Sequence, residues 1–257
     1  MNIEEAVNYL RKIVEEKIEL SKDNFIPFES KGHGEIYAVD GSSVKLFDAY
    51  SFAIYARRVG YVHADEEKIM ERNVGDVVID FIFEENGDAV NDERREKEEM
   101  LIAENLDGLV LIDGCIKNNK DGVVGISKKS GLKKGNIPLL LLIKRFGDEI
   151  MEGKRWYYEI ERGTYAVKFH PYARFAFRVD YYGNDVEEIL AEIAAFCNDV
   201  SCLGYPYPLA EIHKIVKIDG DEAQYLRYSL IKMAREKEIS IDDIENLFYD
   251  YHEHLEG

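Results

Sequence analysis

The sequence predicts a mixed α/β domain, and three features predict it. Continuous apolar runs of strand length, GLVLID (108–113) and VVGIS (123–127), have the form of buried strands. Aromatic and β-branched residues are dense over 43–62 and alternate over 155–182, as in antiparallel strands. Helical spacing dominates near both ends and over 91–106. A chain of 257 residues can bury roughly three-quarters of its surface. With 46% hydrophobic and 33% charged residues, extended disorder is excluded.

In order along the chain, Ile3, Ala6, Val7, Leu10, Ile13 and Val14 recur at helical spacing and predict an amphipathic helix over 2–21. EIYAVDGS (35–42) ends in Asp-Gly; with Ser43 to Val62 it reads as two adjacent antiparallel strands joined by a turn at Gly41. VVIDFIF (77–83) is a strand. NDERREKEEMLIAENL (91–106) is a helix, with Asn91 and Asp92 as cap candidates. Turns at Gly163 and Pro171 divide 155–182 into a hairpin or meander. Helices follow at 185–200, about 208–215, 221–237 and 241–254, the last opened by the capping pair Ser240 and Asp243. No repeat, linker or low-complexity tract interrupts the chain. The expected organisation is one domain over 1–257, with an N-terminal helix (1–22), a core (35–216) and C-terminal helices (221–257).

The net charge of −18 argues against a histone-like protein or a polybasic membrane binder, while leaving room for a local basic groove. The longest apolar run, Ile137 to Ile143, falls far short of the ~20 residues that span a bilayer. The opening MNIEEAVNYL is acidic, unlike a targeting peptide. Cys115, Cys197 and Cys202 form no CxxC pair, against a disulfide framework or structural zinc. A cytoplasmic protein is expected. Neither a P-loop nor a GxGxxG, GxSxG or HExxH pattern occurs, so the chain is not expected to hydrolyse ATP itself.

Two segments share one format, an apolar strand ending in Asp-Gly: YAVDGS with Asp40 and VLIDGC with Asp113. Singly, Asp-Gly is a common turn dipeptide. Between them, the helix carries Glu96, Met100 and Ala103 on one face, which sets Glu96 in line with an apolar stripe; Glu99 shares part of that face. A carboxylate turned toward a sheet is costly unless paired or metal-bound. Strand Asp, helix Glu and strand Asp together suit hard divalent cations such as Mg²⁺ and Mn²⁺, which take oxygen ligands and keep waters. Two such ions activate water and stabilise a leaving oxygen in phosphodiester hydrolysis. The order β–Asp, antiparallel strands, α–Glu, β–Asp is that of RNase H-like nucleases.

Lys128, Lys129, Lys133 and Lys134 form the densest basic segment, suited to phosphate contacts if the site cuts DNA, and otherwise a solvated loop. Trp156, Tyr157, Tyr158 and Phe169 read as core or dimer interface ahead of base stacking.

AVDGS (38–42), the Glu-rich helix leading into LVLIDGC (109–115), VVGISKK (123–129) and GYPYPLAEIHK (204–214) run in the order seen in the NurA nucleases of archaea, and the chain resembles that family from about 36 to 216. The resemblance implies an RNase H-like mixed sheet with flanking helices and Mn²⁺- or Mg²⁺-dependent DNase activity, with one or two ions per site. It also implies 5′–3′ exonuclease and single-strand endonuclease action, a homodimer, and a HerA-type hexameric ATPase partner. In the family that pair works with Mre11–Rad50 in DNA end resection, repair and homologous recombination. Position by position, Asp40, Glu96 and Asp113 correspond to metal-binding carboxylates, and Tyr205 and His213 to the C-terminal active-site pair, with His213 a further metal ligand. Lys128 stands where the family places a basic residue near DNA. The block at 113–115 departs as Asp-Gly-Cys in place of Asp-Gly-Ser, and Ala210, Glu211 and Ile212 precede His213 where many members have Ala directly before it.

Two other readings use the same residues: a non-catalytic adaptor of a DNA-translocating ATPase, and a different RNase H-like enzyme such as an RNA nuclease or resolvase. Because the chain is strongly acidic overall, DNA affinity is expected to rest on local cations. Reversing Lys128 and Lys129 to Glu should weaken single-strand binding and flatten its salt dependence, by about 0.7 in slope for each phosphate no longer neutralised; titrations at several salt concentrations measure this.

Overall fold

The structure, a computed structural model, describes residues 2–15, 20–32, 34–49, 51–116, 120, 122–128, 130–135 and 137–248. Its strands form one ten-stranded mixed sheet. From one edge the order is β1 (Phe25–Phe28), β10 (Arg155–Glu161), β11 (Thr164–Lys168), β12 (Phe177–Asp180) and β7 (Val123–Ser127). It continues through β6 (Leu109–Asp113), β2 (Ile36–Asp48), β3 (Ala53–Ala64) and β4 (Ile69–Val74), with β5 (Val78–Ile82) paired to β3. A small ribbon pairs β8 (Lys133–Lys134) with β9 (Ile137–Pro138). The predicted α/β class, a mixed sheet with flanking helices, is what forms.

The described chain divides into two compact units through which it passes repeatedly: Met1–Ala38, Val62–Glu71 and Leu106–Ala210 in the first, and Val39–Tyr61, Arg72–Asn105 and Glu211–Gly257 in the second.

In the first unit, β6 pairs parallel to β7, with Leu111 opposite Val124. The predicted meander is antiparallel, β10 to β11 to β12, and its last strand pairs with β7. Every residue of β11 is buried, as a strand covered on both faces must be. On one side lies α3 (Leu139–Ile150); its Ile143 packs with Phe25, Trp156 and Ala166. Trp156, Tyr157 and Phe169 are buried and Tyr158 packs against this cluster, so these aromatics are core. Several elements go beyond the sequence-based expectation: β4, the β8–β9 ribbon, helix α3, and β1, which pairs with β10. Helix α3 is hidden because IPLLLLI is too uniformly apolar for a helical period to show. At the N-terminus, α1 (Ile3–Glu15) is shorter than the 2–21 helix expected, residues 16–19 lying outside those described, and Ile3, Val7 and Leu10 on it are exposed.

In the second unit, β5 pairs antiparallel to β3. Leu46, Ile54, Ala56, Ile218 and Ala223 form a core that α6 (Gly220–Glu236) and α7 (Ile241–Phe248) help to cover. Asp243 N donates to Ser240 Oγ at 3.4 Å, at the predicted cap; residues 249–254 of the expected helix lie outside those described.

Two local expectations are corrected here. Helix α2 (Gly87–Glu104) starts four residues before Asn91, which is therefore no cap: it is buried inside the helix and donates to Ser43 Oγ at 2.9 Å. Gly41 makes no turn either, since β2 runs straight through it. Its lack of a side chain serves close approach instead. A Cβ at Gly41 would sit 2.6 Å from Glu99 Oε1, 2.8 Å from Val59 Cγ1 and 3.0 Å from Arg95 Cγ. Gly41→Ala should therefore destabilise the fold by about 1–3 kcal/mol, the usual cost of overpacking, seen as a lower urea midpoint.

Candidate functional site

In the second unit, Asp40 lies mid-strand on β2, 3% exposed. Its Oδ1 accepts from Gly41 N at 2.8 Å, and its Oδ2 lies 2.8 Å from His213 Nδ1. His213 projects from α5 (Tyr207–Val216) with its side chain half exposed. The structure thus brings together Asp40 and His213, two residues singled out in the sequence.

The carboxylate that α2 turns inward is Glu99, 1% exposed, while Glu96 is exposed. The inward stripe expected from the sequence runs through Glu96, Met100 and Ala103. The buried residues are instead Asn91, Glu99 and Ala103, with Arg95 part-buried among them at the same four-residue spacing. Since three of those four are polar, hydrophobicity could not mark the stripe. The available signal was the spacing from Glu99 to Ala103 and the Arg four residues before Glu99. Arg95 Nη1 donates to Glu99 Oε1. Burial pushes the Glu99 carboxyl up to about 8 despite the pull of Arg95, and the Asp40 and Glu96 carboxylates push the same way.

In the first unit, Asp113 ends β6 and accepts from Lys128 Nζ at 2.6 Å. The same ammonium lies 4.7 Å from the centre of the Tyr205 ring, and Tyr205 is buried against Phe177 at 5.2 Å. Tyr205 thus seats Lys128 by a cation–π contact. Lys133 and Lys134 form the exposed strand β8, paired with β9. Lys129 lies outside the described residues.

The second unit thus offers an imidazole within hydrogen-bond reach of a buried carboxylate and a guanidinium paired with Glu99, and the first offers an ammonium paired with Asp113 and an exposed basic ribbon. Carboxylate oxygens of this kind suit hard divalent cations such as Mg²⁺ and Mn²⁺.

The NurA domain matches residues 34–218 of this chain. Among solved structures, the NurA nuclease from Sulfolobus solfataricus is similar over 93% of this chain and 95% of its own, with a TM-score of 0.66 and 18% identity. A crystal structure of NurA covers 93% of this chain and 99% of its own, with a TM-score of 0.69 and 13% identity. A third, of NurA with manganese, covers 91% and 97%, with a TM-score of 0.69 and 12% identity. These likenesses carry the fold. No curated protein matches.

The position of Glu99 has a consequence for stability against pH. In the unfolded chain its carboxyl titrates near the ordinary value of about 4.3, and in the fold near 8. Folding therefore favours the protonated form, and stability should decline as pH rises from about 4.3 to 8. In EDTA, urea midpoints of Glu99→Gln should show less of this decline than the parent chain; parallel curves would contradict the burial argument.

Proposed function

The chain belongs to the NurA family, and from that premise we propose that it is a metal-dependent DNA nuclease, a phosphodiester hydrolase working with Mn²⁺. The observation that carries this reading is the buried Asp40 carboxylate, held by His213, in a chain whose other Asp-Gly carboxylate, Asp113, pairs with a lysine. Asp40 and His213 are the cation donors of the second unit, Asp113 is a donor on the ground of the family resemblance, and Glu99 rather than Glu96 is the buried carboxylate of the helix. The cation would activate a water and stabilise the leaving oxygen of the scissile phosphate.

The remaining roles belong to the chain's own side chains. Asp40 is fixed in direction by the Gly41 amide and by His213, so its carboxylate is preorganised. Lys128, seated on Tyr205, balances the charge of Asp113 in the resting protein and is available to a phosphate oxygen when that carboxylate is otherwise engaged. Lys133 and Lys134 extend the positive surface along the backbone of the strand.

Further parts of the reading rest on the family resemblance: 5′–3′ exonuclease and single-strand endonuclease action, a homodimer, a HerA-type hexameric ATPase partner and a role beside Mre11–Rad50 in end resection in the cytoplasm. The absence of a nucleotide-binding loop in the sequence supports an ATPase supplied in trans. The exposed Ile3, Val7 and Leu10 of α1 are the surface proposed to dock it. Among the described residues, no helix is long and apolar enough to cross a membrane.

Oligonucleotide degradation with Mn²⁺, and its loss in EDTA, tests the activity. Asp40→Ala and Asp113→Asn should abolish turnover, and His213→Ala should lower it with DNA binding kept, as for a group acting on the transition state. Glu96→Gln should leave turnover within about twofold while Glu99→Gln reduces it at least tenfold. DNA binding by the parent chain without cleavage under any divalent cation would favour the adaptor reading.

A further inference from the structure

One groove of the first unit, about 400 Å³, opens beside Lys128 and is lined in part by Ser130, Pro138, Leu141, Lys144 and Phe175. Its volume lies in the ~300–1,000 Å³ range of small-ligand sites. Two properties set it apart from a packing defect. It presents apolar surface that water covers: Phe175 is 59% exposed and Leu141 is 40% exposed. Two cations line it as well, Lys128, which pairs with Asp113, and Lys144 on α3.

Lys144 is not a neutralised charge. It pairs with Asp148 at 2.7 Å, and the same carboxylate accepts from the buried Lys168 at 2.6 Å. Two ammonium groups share one carboxylate, so Asp148 does not cancel both charges, and Lys144 is the member of the trio that lines the groove. The arginine preceding Phe175 adds another, since the Arg174 guanidinium lies 5.4 Å from the centre of the Phe175 ring.

The aromatic side chain is presented by a braced loop. Arg155 Nε donates to Phe169 O at 2.8 Å, Ala173 N to His170 O at 3.0 Å, and Tyr172 N to His170 Nδ1 at 3.2 Å. Gly204, at φ +87°, lets the loop lie flush: a Cβ there would come 2.3 Å from Ala173 Cβ. An exposed phenylalanine on a fixed loop loses little conformational freedom on binding, so its stacking surface is preorganised.

We propose that this groove is a single-nucleotide subsite for single-stranded DNA, in which an unpaired base stacks on Phe175 while Lys144 and Lys128 hold the flanking phosphates. This rests on the nuclease reading and deepens it: an unpaired strand is gripped by a base as well as by its backbone. Aromatic stacking tolerates every base, so the subsite grips without reading sequence. The aromatics that the sequence offered for this role are in the core; Phe175 takes it, thirty-one residues after Lys144 in sequence and on the same groove.

The test is binding of fluorescent oligo(dT) in EDTA, which requires no cleavage, compared with an abasic strand of equal length. Phe175→Ala should weaken oligo(dT) binding by about 5- to 150-fold, the range for one stacked base, and leave abasic binding unchanged. Phe175→Trp should restore oligo(dT) affinity, and its added indole fluorescence should be quenched by oligo(dT) and not by the abasic strand. Lys144→Ala should weaken both strands alike and lower the salt slope by about 0.7. Equal affinity of parent and Phe175→Ala for oligo(dT), an equal loss on the abasic strand, or no oligonucleotide binding at all would overturn the subsite. Cleavage with Mn²⁺ by the parent alongside any of those results would leave the nuclease reading standing. Phe175-dependent binding without cleavage under any divalent cation would overturn the nuclease reading and keep the subsite.

Discussion

The second unit depends on keeping two carboxylates, Asp40 and Glu99, almost entirely out of water. Each buried charge costs on the order of several kcal/mol unless a partner compensates it. The fold meets that demand with three devices. Gly41 has no side chain, so α2 can press Glu99 against β2. Arg95, one turn earlier on the helix, donates to Glu99. His213 and the Gly41 amide take the two oxygens of Asp40. Protonation of Glu99, favoured by burial, relieves the remaining repulsion. A cation would relieve it more completely.

That demand explains how the glutamates of α2 are sorted. Glu98 is drawn to the buried Arg57, whose Nε and Nη2 reach its two oxygens at 3.0 and 2.7 Å, and Arg57 also holds Asp80 at 3.1 Å. Arg94 pairs with the same Asp80 at 2.7 Å. These forks fix the rotation of the helix about its axis, and once that is fixed Glu99 faces in and Glu96 faces out. A bidentate arginine is a strong orienting contact because both its bonds must align at once. The first unit is organised differently, by an aromatic core around Phe25 and Trp156 that leaves Lys128 seated on Tyr205 and Phe175 turned to solvent.

Much of the strand framework is legible in the sequence. Runs such as LVLID and VVGIS are strands because nothing but burial on both faces suits them. Asp40, Asp113 and His213 can be named from their motifs. Where local pattern misleads, the deciding residues are polar or uniformly apolar. The stripe Asn91, Arg95, Glu99, Ala103 looks solvated by composition, and IPLLLLI conceals the start of a helix because every position is greasy. Gly41 after Asp40 is the right residue for a different reason: the dipeptide suggests a turn, and the fold needs a close approach.

The sequence by itself determined the alternation of strands and helices, the family, and the two Asp-Gly motifs, because each is written in neighbouring residues. Tertiary structure alone decided which glutamate is buried, which aromatic stays exposed, and which lysines share a carboxylate. Those outcomes depend on partners far away in the chain, Arg57 for Glu98 and Lys168 for Asp148, and no local pattern encodes a contact made across such separations. Phe175 and Trp156 are both aromatic residues of one stretch; packing among Phe25, Ile143 and Ala166 made Trp156 core, while Phe175 stays exposed.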